Sequence, residues 1–168
     1  MKSIIRLLAV VLMALVLDGL TKRWAEQVLV FRIPRAVWGQ YIQLTLDYNT
    51  GVAFGLLANG GEWLLALTGL LIGGLVIWLG NALRTGQLPA VAAWPAGMIL
   101  GGAIANFVDR LADSRVTDFL DVGIESTRFP TFNIADSCLV VGVGFLMVTI
   151  LLHTDAAEVH YGQNHPNS

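Results

Sequence analysis

The sequence predicts an all-α membrane protein with four transmembrane helices and a small β-sheet at one membrane face. Three observations carry that expectation. Of 168 residues, 55% are apolar and only 13% are charged, whereas a soluble domain carries roughly 25% charged residues. Mean hydropathy is +0.68. Four stretches are long and apolar enough to cross about 30 Å of hydrocarbon, for which ~20 helical residues are needed. A soluble core of this size has no room for so much apolar side chain, because its surface would still need polar cover.

Ile4–Leu20, the first stretch, is the weakest, with Arg6 near its start and Asp18 near its end. Lys2 and Arg6 ahead of an apolar run imitate a secretory leader, but no small-x-small cleavage site follows and Asp18 interrupts the run. It is therefore read as a retained helix. Trp63–Leu83 and Thr85–Val108 run for 21 and 24 residues without a formal charge, and Ser137–Thr154 for 18. The neutral run Phe129–Ala135 lengthens the last of these, interrupted only by Asp136. Expected helices are 4–21, 63–83, 88–108 and 133–153, in a single membrane domain, 1–168, without internal repeats. Segments 22–62 and 109–132 then share one side of the membrane. Both termini and the loop Asn81–Pro89 share the other.

Between the first two helices, Ile42, Leu44, Leu46 and Tyr48 alternate with Gln43, Thr45 and Asp47. That period of two predicts a half-buried strand, and Asn49-Thr50-Gly51 supplies a turn after it. In the third helix Gly97, Gly101 and Ala105 form a small-xxx-small face that lets another helix approach closely, and Gly69 and Gly73 offer the same on the second. These residues are read as packing. Orientation is harder. Lys2, Arg6 and Arg84 stand on the side of the termini, against Lys22, Arg23, Arg32, Arg35, Arg110, Arg115 and Arg128 on the other. That count opposes cytoplasmic termini under the positive-inside rule, unless several of the seven are engaged in polar clusters.

Composition excludes several functions. Ten basic and twelve acidic residues give a net charge of −2 without a basic run, so nucleic acid is not an expected partner. One cysteine, Cys138, excludes an internal disulfide and a cysteine-cluster metal site. His153, His160 and His165 fall in the final stretch as a polar tail.

The remaining polar residues gather near helix ends. Asp18 and Lys22, four apart, share a helix face and are read as an ion pair anchoring a helix end in preference to catalysis, since an unpaired charge at depth costs about 2.5–3.5 kcal/mol. Asn106, Asp109 and Arg110 share a face at the end of the third helix, Asp109 positioned to hold the guanidinium and Asn106 presenting an amide towards the bundle. Asp118 lies ahead of the last helix and Asp136 at its entrance, with Asn133 three residues earlier. A lone Asp at a helix start is most often a cap. Two flanking one connection can converge, in which case repulsion leaves one proton shared, and such a pair can activate water and protonate a leaving amine.

Five blocks of sequence together resemble the bacterial lipoprotein signal peptidase (type II signal peptidase) family. They are Asp18-Gly-Leu-Thr-Lys22, Asn49-Thr-Gly-Val-Ala-Phe54, Gly101-Gly-Ala-Ile-Ala-Asn106-Phe-Val-Asp109-Arg110, Val116-Thr-Asp118-Phe119 and Phe132-Asn133-Ile-Ala-Asp136-Ser137. Any one is weak, but all five occur in family order over Asp18–Ser137. Two positions depart from the pattern: Ala105 where the family usually has glycine, and Gly19 where glutamine is common. The resemblance implies an aspartic endopeptidase of the bacterial inner membrane that cuts diacylglyceryl-modified prolipoproteins before the lipidated cysteine. It implies Asp118 and Asp136 as the catalytic pair, with Asn49, Gly51, Asn106, Arg110 and Asn133 binding substrate or shaping the site. Asp18, Lys22 and Asp109 support them. No metal or cofactor is implied; the implied partners are the lipidated substrate, membrane lipid and the inhibitor globomycin, and the implied state is a monomer. Termini are then cytoplasmic, the sheet-containing segment is extracytoplasmic, and the site lies near the outer leaflet.

Two other classes fit less well. A small transporter or proton-conducting bundle calls for polar residues through the membrane depth, and the second and third helices have almost none at mid-span. A lipid-headgroup transferase with a carboxylate-bound metal could begin at Asp18-Gly19, but only Glu26 follows on that helix.

Overall fold

The structure is a computed structural model and describes residues 1–51 and 61–164, without the side chains of 61, 62, 64 and 154–164. Val52, Ala53 and Phe54 of the Asn49 block lie outside the described residues, as do His165 and the side chain of His160. In chain order the elements are α1 (Lys2–Val28), β1 (Arg35–Trp38), β2 (Ile42–Asn49), α2 (Gly61–Thr85), α3 (Ala93–Asp113, entered through a 3-10 turn at Ala90–Ala92), β3 (Val116–Ile124), β4 (Thr127–Arg128) and α4 (Ile134–Asn164). Among the described residues four helices are long and apolar enough to span a membrane: Lys2–Val28, Leu65–Thr85, Ala90–Asp113 and Ile134–His153.

Helices run past the bounds expected from apolar runs. Residues 22–28 belong to α1 and 109–113 to α3, not to the connecting segments. A charge ends an apolar run but does not end a backbone hydrogen-bond ladder, and here Lys22 and Asp109 are paired with each other.

α3 is the central helix. Over half of its spanning window, 56%, is buried, against 11% for α2 and for α4. Its glycines explain how. A Cβ on Gly97 would stand 2.7 Å from Val10 Cβ, and one on Gly101 2.7 Å from Ala14 Cβ. The expected small face is therefore what lets α1 lie against α3, and the offset in sequence is the same at both contacts. Carried one and two turns further, that register sets Asp18 and Lys22 of α1 beside Ala105 and Asp109 of α3. On the neighbouring face a Cβ on Gly102 would collide with the carbonyl oxygen of Ala135, so α4 also approaches at backbone distance. On α2 Gly69 is used this way, 3.1 Å from the Phe107 ring, whereas Gly73 faces open space.

The sheet is antiparallel in the order β1-β2-β3-β4. The strand expected from alternation is β2, yet Thr45 and Leu46 are buried side by side. A bulge between Leu44 and Asp47 breaks the period of two there. Leu46 joins Ala25, Leu29 and Phe119 in an apolar cluster that fixes the sheet to the end of α1. Above the cluster, register pairs Asp47 with Asp118 and Tyr48 with Thr117. Asp47 takes a hydrogen bond from Arg32 Nε at 3.2 Å.

Candidate active site

At the entrance of α4, Asn133 is the N-cap residue. Its Oδ1 accepts the backbone N–H of Asp136 at 2.8 Å, while Asp136 Oδ2 accepts the backbone N–H of Asn133 at 3.3 Å. This is a reciprocal capping box, with Asp in the place usually held by Glu. A third first-turn donor is met from another helix, because Asp18 Oδ1 accepts the N–H of Ala135 at 2.8 Å. Asp18 is thus more than the ion-pair partner expected from its spacing. It ties α1 to the turn that carries Asp136.

Asp118 comes to the same place from β3. It is 2% exposed, and its Oδ1 accepts the Nδ2 of Asn133 at 2.7 Å. One asparagine therefore touches both aspartates, through its side-chain amide on Asp118 and its backbone N–H on Asp136. Asn106 closes the group from α3, its Nδ2 donating to Asp136 Oδ1 at 2.8 Å. Burial pushes the Asp118 carboxyl up to about 7, with the Asp136 carboxylate adding to the effect; hydrogen bonds from Asn133 and Asn49 and the charge of Lys22 oppose it.

Asn49 and Gly51 border the site in an Asx turn, Asn49 Oδ1 accepting the Gly51 N–H at 2.9 Å. Arg110 holds that turn: Nε donates to the Gly51 carbonyl at 3.1 Å, Nη2 donates to the same oxygen, and Nη1 donates to the Asn106 carbonyl at 3.2 Å. The expectation that Asp109 fixes the Arg110 guanidinium is not met. Asp109 Oδ2 pairs with Lys22 Nζ at 2.6 Å and Arg110 turns to the Gly51 carbonyl, because consecutive residues on a helix point about 100° apart. All ten residues expected at the site, from Asp18 to Asp136, are brought together: the two aspartates, five residues around them, and Asp18, Lys22 and Asp109 behind. A cavity of about 380 Å³ opens beside Asp118, between the ends of β2 and β3 and the strap Arg128–Thr131.

Sequence reasoning missed Asp121. It is buried on β3, where its oxygens accept from Thr45 Oγ1 at 2.8 Å and Arg128 Nε at 2.5 Å. Arg128 also donates to the Gln40 carbonyl at 3.0 Å, which clamps β2, β3 and β4 around the cavity. The signal was present: Val116–Ile124 is a strand-like run followed by a turn at Glu125-Ser126, which returns Arg128 towards Asp121. Thr117 was also missed; its hydroxyl donates to Glu26 Oε1 at 2.6 Å and ties β3 to α1. Among the described residues no three His, Cys, Asp or Glu side chains group to hold a metal ion.

The sequence pattern of the family described as Signal peptidase (SPase) II matches residues 10–152, which includes every one of these side chains. The chain belongs to the signal peptidase II family. It is a peptidase and a multi-pass membrane protein. A lipoprotein signal peptidase of Coxiella burnetii is 37% identical over 144 residues, covering 83% of this chain and 86% of that protein. One of Pseudomonas putida is 39% identical over 140 residues, 80% of each. Among solved structures, a bacterial membrane enzyme determined by the in meso method at 2.3 Å superposes with a TM-score of 0.78 at 25% identity, covering 88% of either chain. The peptidase thus shares with that enzyme its helix bundle and sheet. Ala105, where the family usually has glycine, is buried in the contact with α1, and Gly19 faces open space. Neither departure reaches the two aspartates.

Proposed function

We propose that this peptidase is an aspartic endopeptidase that removes the signal peptide from diacylglyceryl-modified prolipoproteins, cutting before the lipidated cysteine. The observation that carries the proposal is the meeting of Asp118 and Asp136, from two separate elements, on the single residue Asn133. Asp136 takes a proton from a water molecule as its oxygen attacks the scissile carbonyl carbon. Asp118, protonated up to about pH 7, gives its proton to the leaving nitrogen as the C–N bond breaks. The proton now on Asp136 returns to Asp118 and resets the pair. Both transfers come from carboxylates, so no metal or cofactor is required. Asn49, Gly51 and Arg110 line the approach for the peptide, and Asp18, Lys22 and Asp109 hold the floor. Purified protein should cleave a lipidated precursor to a product beginning at the modified cysteine, leave the unlipidated precursor intact, and be blocked by globomycin. Folded protein that leaves the lipidated precursor uncut would overturn the proposal.

The same proposal places the peptidase as a monomer in the bacterial inner membrane, with both termini cytoplasmic and the site near the outer leaflet. Two features support it. Lys22, Arg32, Arg110 and Arg128 are engaged by acidic or carbonyl partners, which removes four of the seven cations that opposed this orientation. Trp24, Phe31, Trp38 and Tyr41 are exposed around the end of α1 and β1, where interfacial aromatic residues belong. Of single cysteines at Thr85 and Ser126, an impermeant reagent on intact cells should label only Ser126→Cys. Labelling of Thr85→Cys instead would reverse the orientation.

A further inference from the structure

Lys22 Nζ forms ion pairs with Asp18 Oδ2 at 2.5 Å and Asp109 Oδ2 at 2.6 Å, and it donates a hydrogen bond to Asn106 Oδ1 at 3.0 Å. An ammonium has three donors and no acceptor, so the Asn106 atom facing it must be the amide oxygen. Asn133 Nδ2 donates to the same oxygen at 3.2 Å and enforces the same setting. The other end of a planar amide is its NH2 group, and that end lies 2.8 Å from Asp136 Oδ1. We infer that Lys22 is a positioning residue for the catalytic pair, acting through Asn106, whose amide it holds with the donor turned on Asp136. The inference rests on Asp118 and Asp136 being that pair.

Two physical effects make the ammonium matter. An asparagine amide is nearly symmetric in shape, so its two settings differ mainly in the partners each end meets. In the wrong one a lone-pair oxygen would face the Asp136 carboxylate. A cation at one end of an amide also polarises it, which strengthens the hydrogen bond that the N–H at the other end donates. The second amide of the site is set by a different group. Asn133 Oδ1 is occupied by the Asp136 N–H, which leaves its Nδ2 for Asp118. Charged side chains reach this region from α1 (Asp18, Lys22), α3 (Asp109, Arg110), β3 (Asp118) and α4 (Asp136). Among the described residues Lys22 is the cation within hydrogen-bond distance of the Asn106 amide oxygen.

The test is a double-mutant cycle read on kcat and KM for a lipidated precursor, using full-length enzyme. Asn106→Asp keeps an acceptor for Lys22 but removes the donor from Asp136; kcat should fall roughly tenfold or more, as loss of a preorganised donor does, with KM little changed. Lys22→Met should lower kcat similarly on its own but add nothing in an Asn106→Ala background, because the two residues act in series. Lys22→Arg, which keeps the charge, should recover part of the loss. Wild-type kcat in Asn106→Asp, or a full additional loss from Lys22→Met in the Asn106→Ala background, would overturn the inference. Should Lys22→Met fail to fold with Asp18 and Asp109 left unpaired, Lys22→Met combined with Asp18→Asn and Asp109→Asn takes its place in the cycle, since no carboxylate then loses its cation. Asp136→Asn in the same assay separates the two levels: if it is active the catalytic pair itself is wrong, and if it is dead while Asn106→Asp is normal only the role of Lys22 fails.

Discussion

Asp118→Asn and Asp136→Asn proteins are expected to fold and to bind a lipidated precursor, yet to cleave it slower by a factor of about 100 to 10,000, the range that general acid–base assistance supplies. Asparagine nearly matches aspartate in shape and keeps an acceptor oxygen. At position 118 that oxygen can still receive Asn133 Nδ2, and at 136 one oxygen remains for Asn106 or for the Asn133 N–H. What each substitution removes is proton exchange. The double mutant should be scarcely slower than either single one, because groups acting as a unit are grossly non-additive. The wild-type rate should follow a bell-shaped pH profile whose limbs belong to the pair. Near wild-type turnover by either folded single mutant excludes that aspartate and sinks the mechanism.

A second large effect is expected in stability. In the folded protein Asp118 keeps its proton up to about pH 7, while its ordinary value is 3.8. Between those values the folded state binds more protons than the unfolded one, so this group makes stability fall as pH rises from about 4 to about 7 and adds no further slope above that. At ~1.4 kcal/mol per pKa unit the loss is on the order of a few kcal/mol. Asp118→Asn has no group to titrate there. Its unfolding temperature relative to wild type, measured in one detergent from pH 5 to 8, should therefore climb with pH. The mutant would be inactive and, at pH 8, the more heat-resistant of the two. A difference that stays constant across that range would show that Asp118 is ionised in the folded protein at all of these pH values.

The spans, the strand at Ile42–Asn49, the turn at Asn49–Gly51 and the close-approach face at Gly97 and Gly101 were all legible in the sequence, though not that α1 is the helix that packs there. Each rests on local periodicity or on the size of a side chain, and both survive whatever surrounds them. The site residues were legible as a set, since five spaced blocks name them together. Their partners were not. Spacing joined Asp109 to Arg110, whereas the fold gives Asp109 to Lys22 and turns Arg110 onto the Gly51 carbonyl. Asp136 looked like a helix cap and is one; that Asp118 arrives beside it, through the same asparagine, follows from β3 crossing above the entrance of α4. Asp121 was hidden because its neighbours in the chain are apolar and its partner Arg128 is reached only by the return of β4. A sequence determines which side chains want burial and which backbone periods they support. Which donor meets which acceptor was decided by how closely three helices can approach, and glycines at 97, 101 and 102 set that distance.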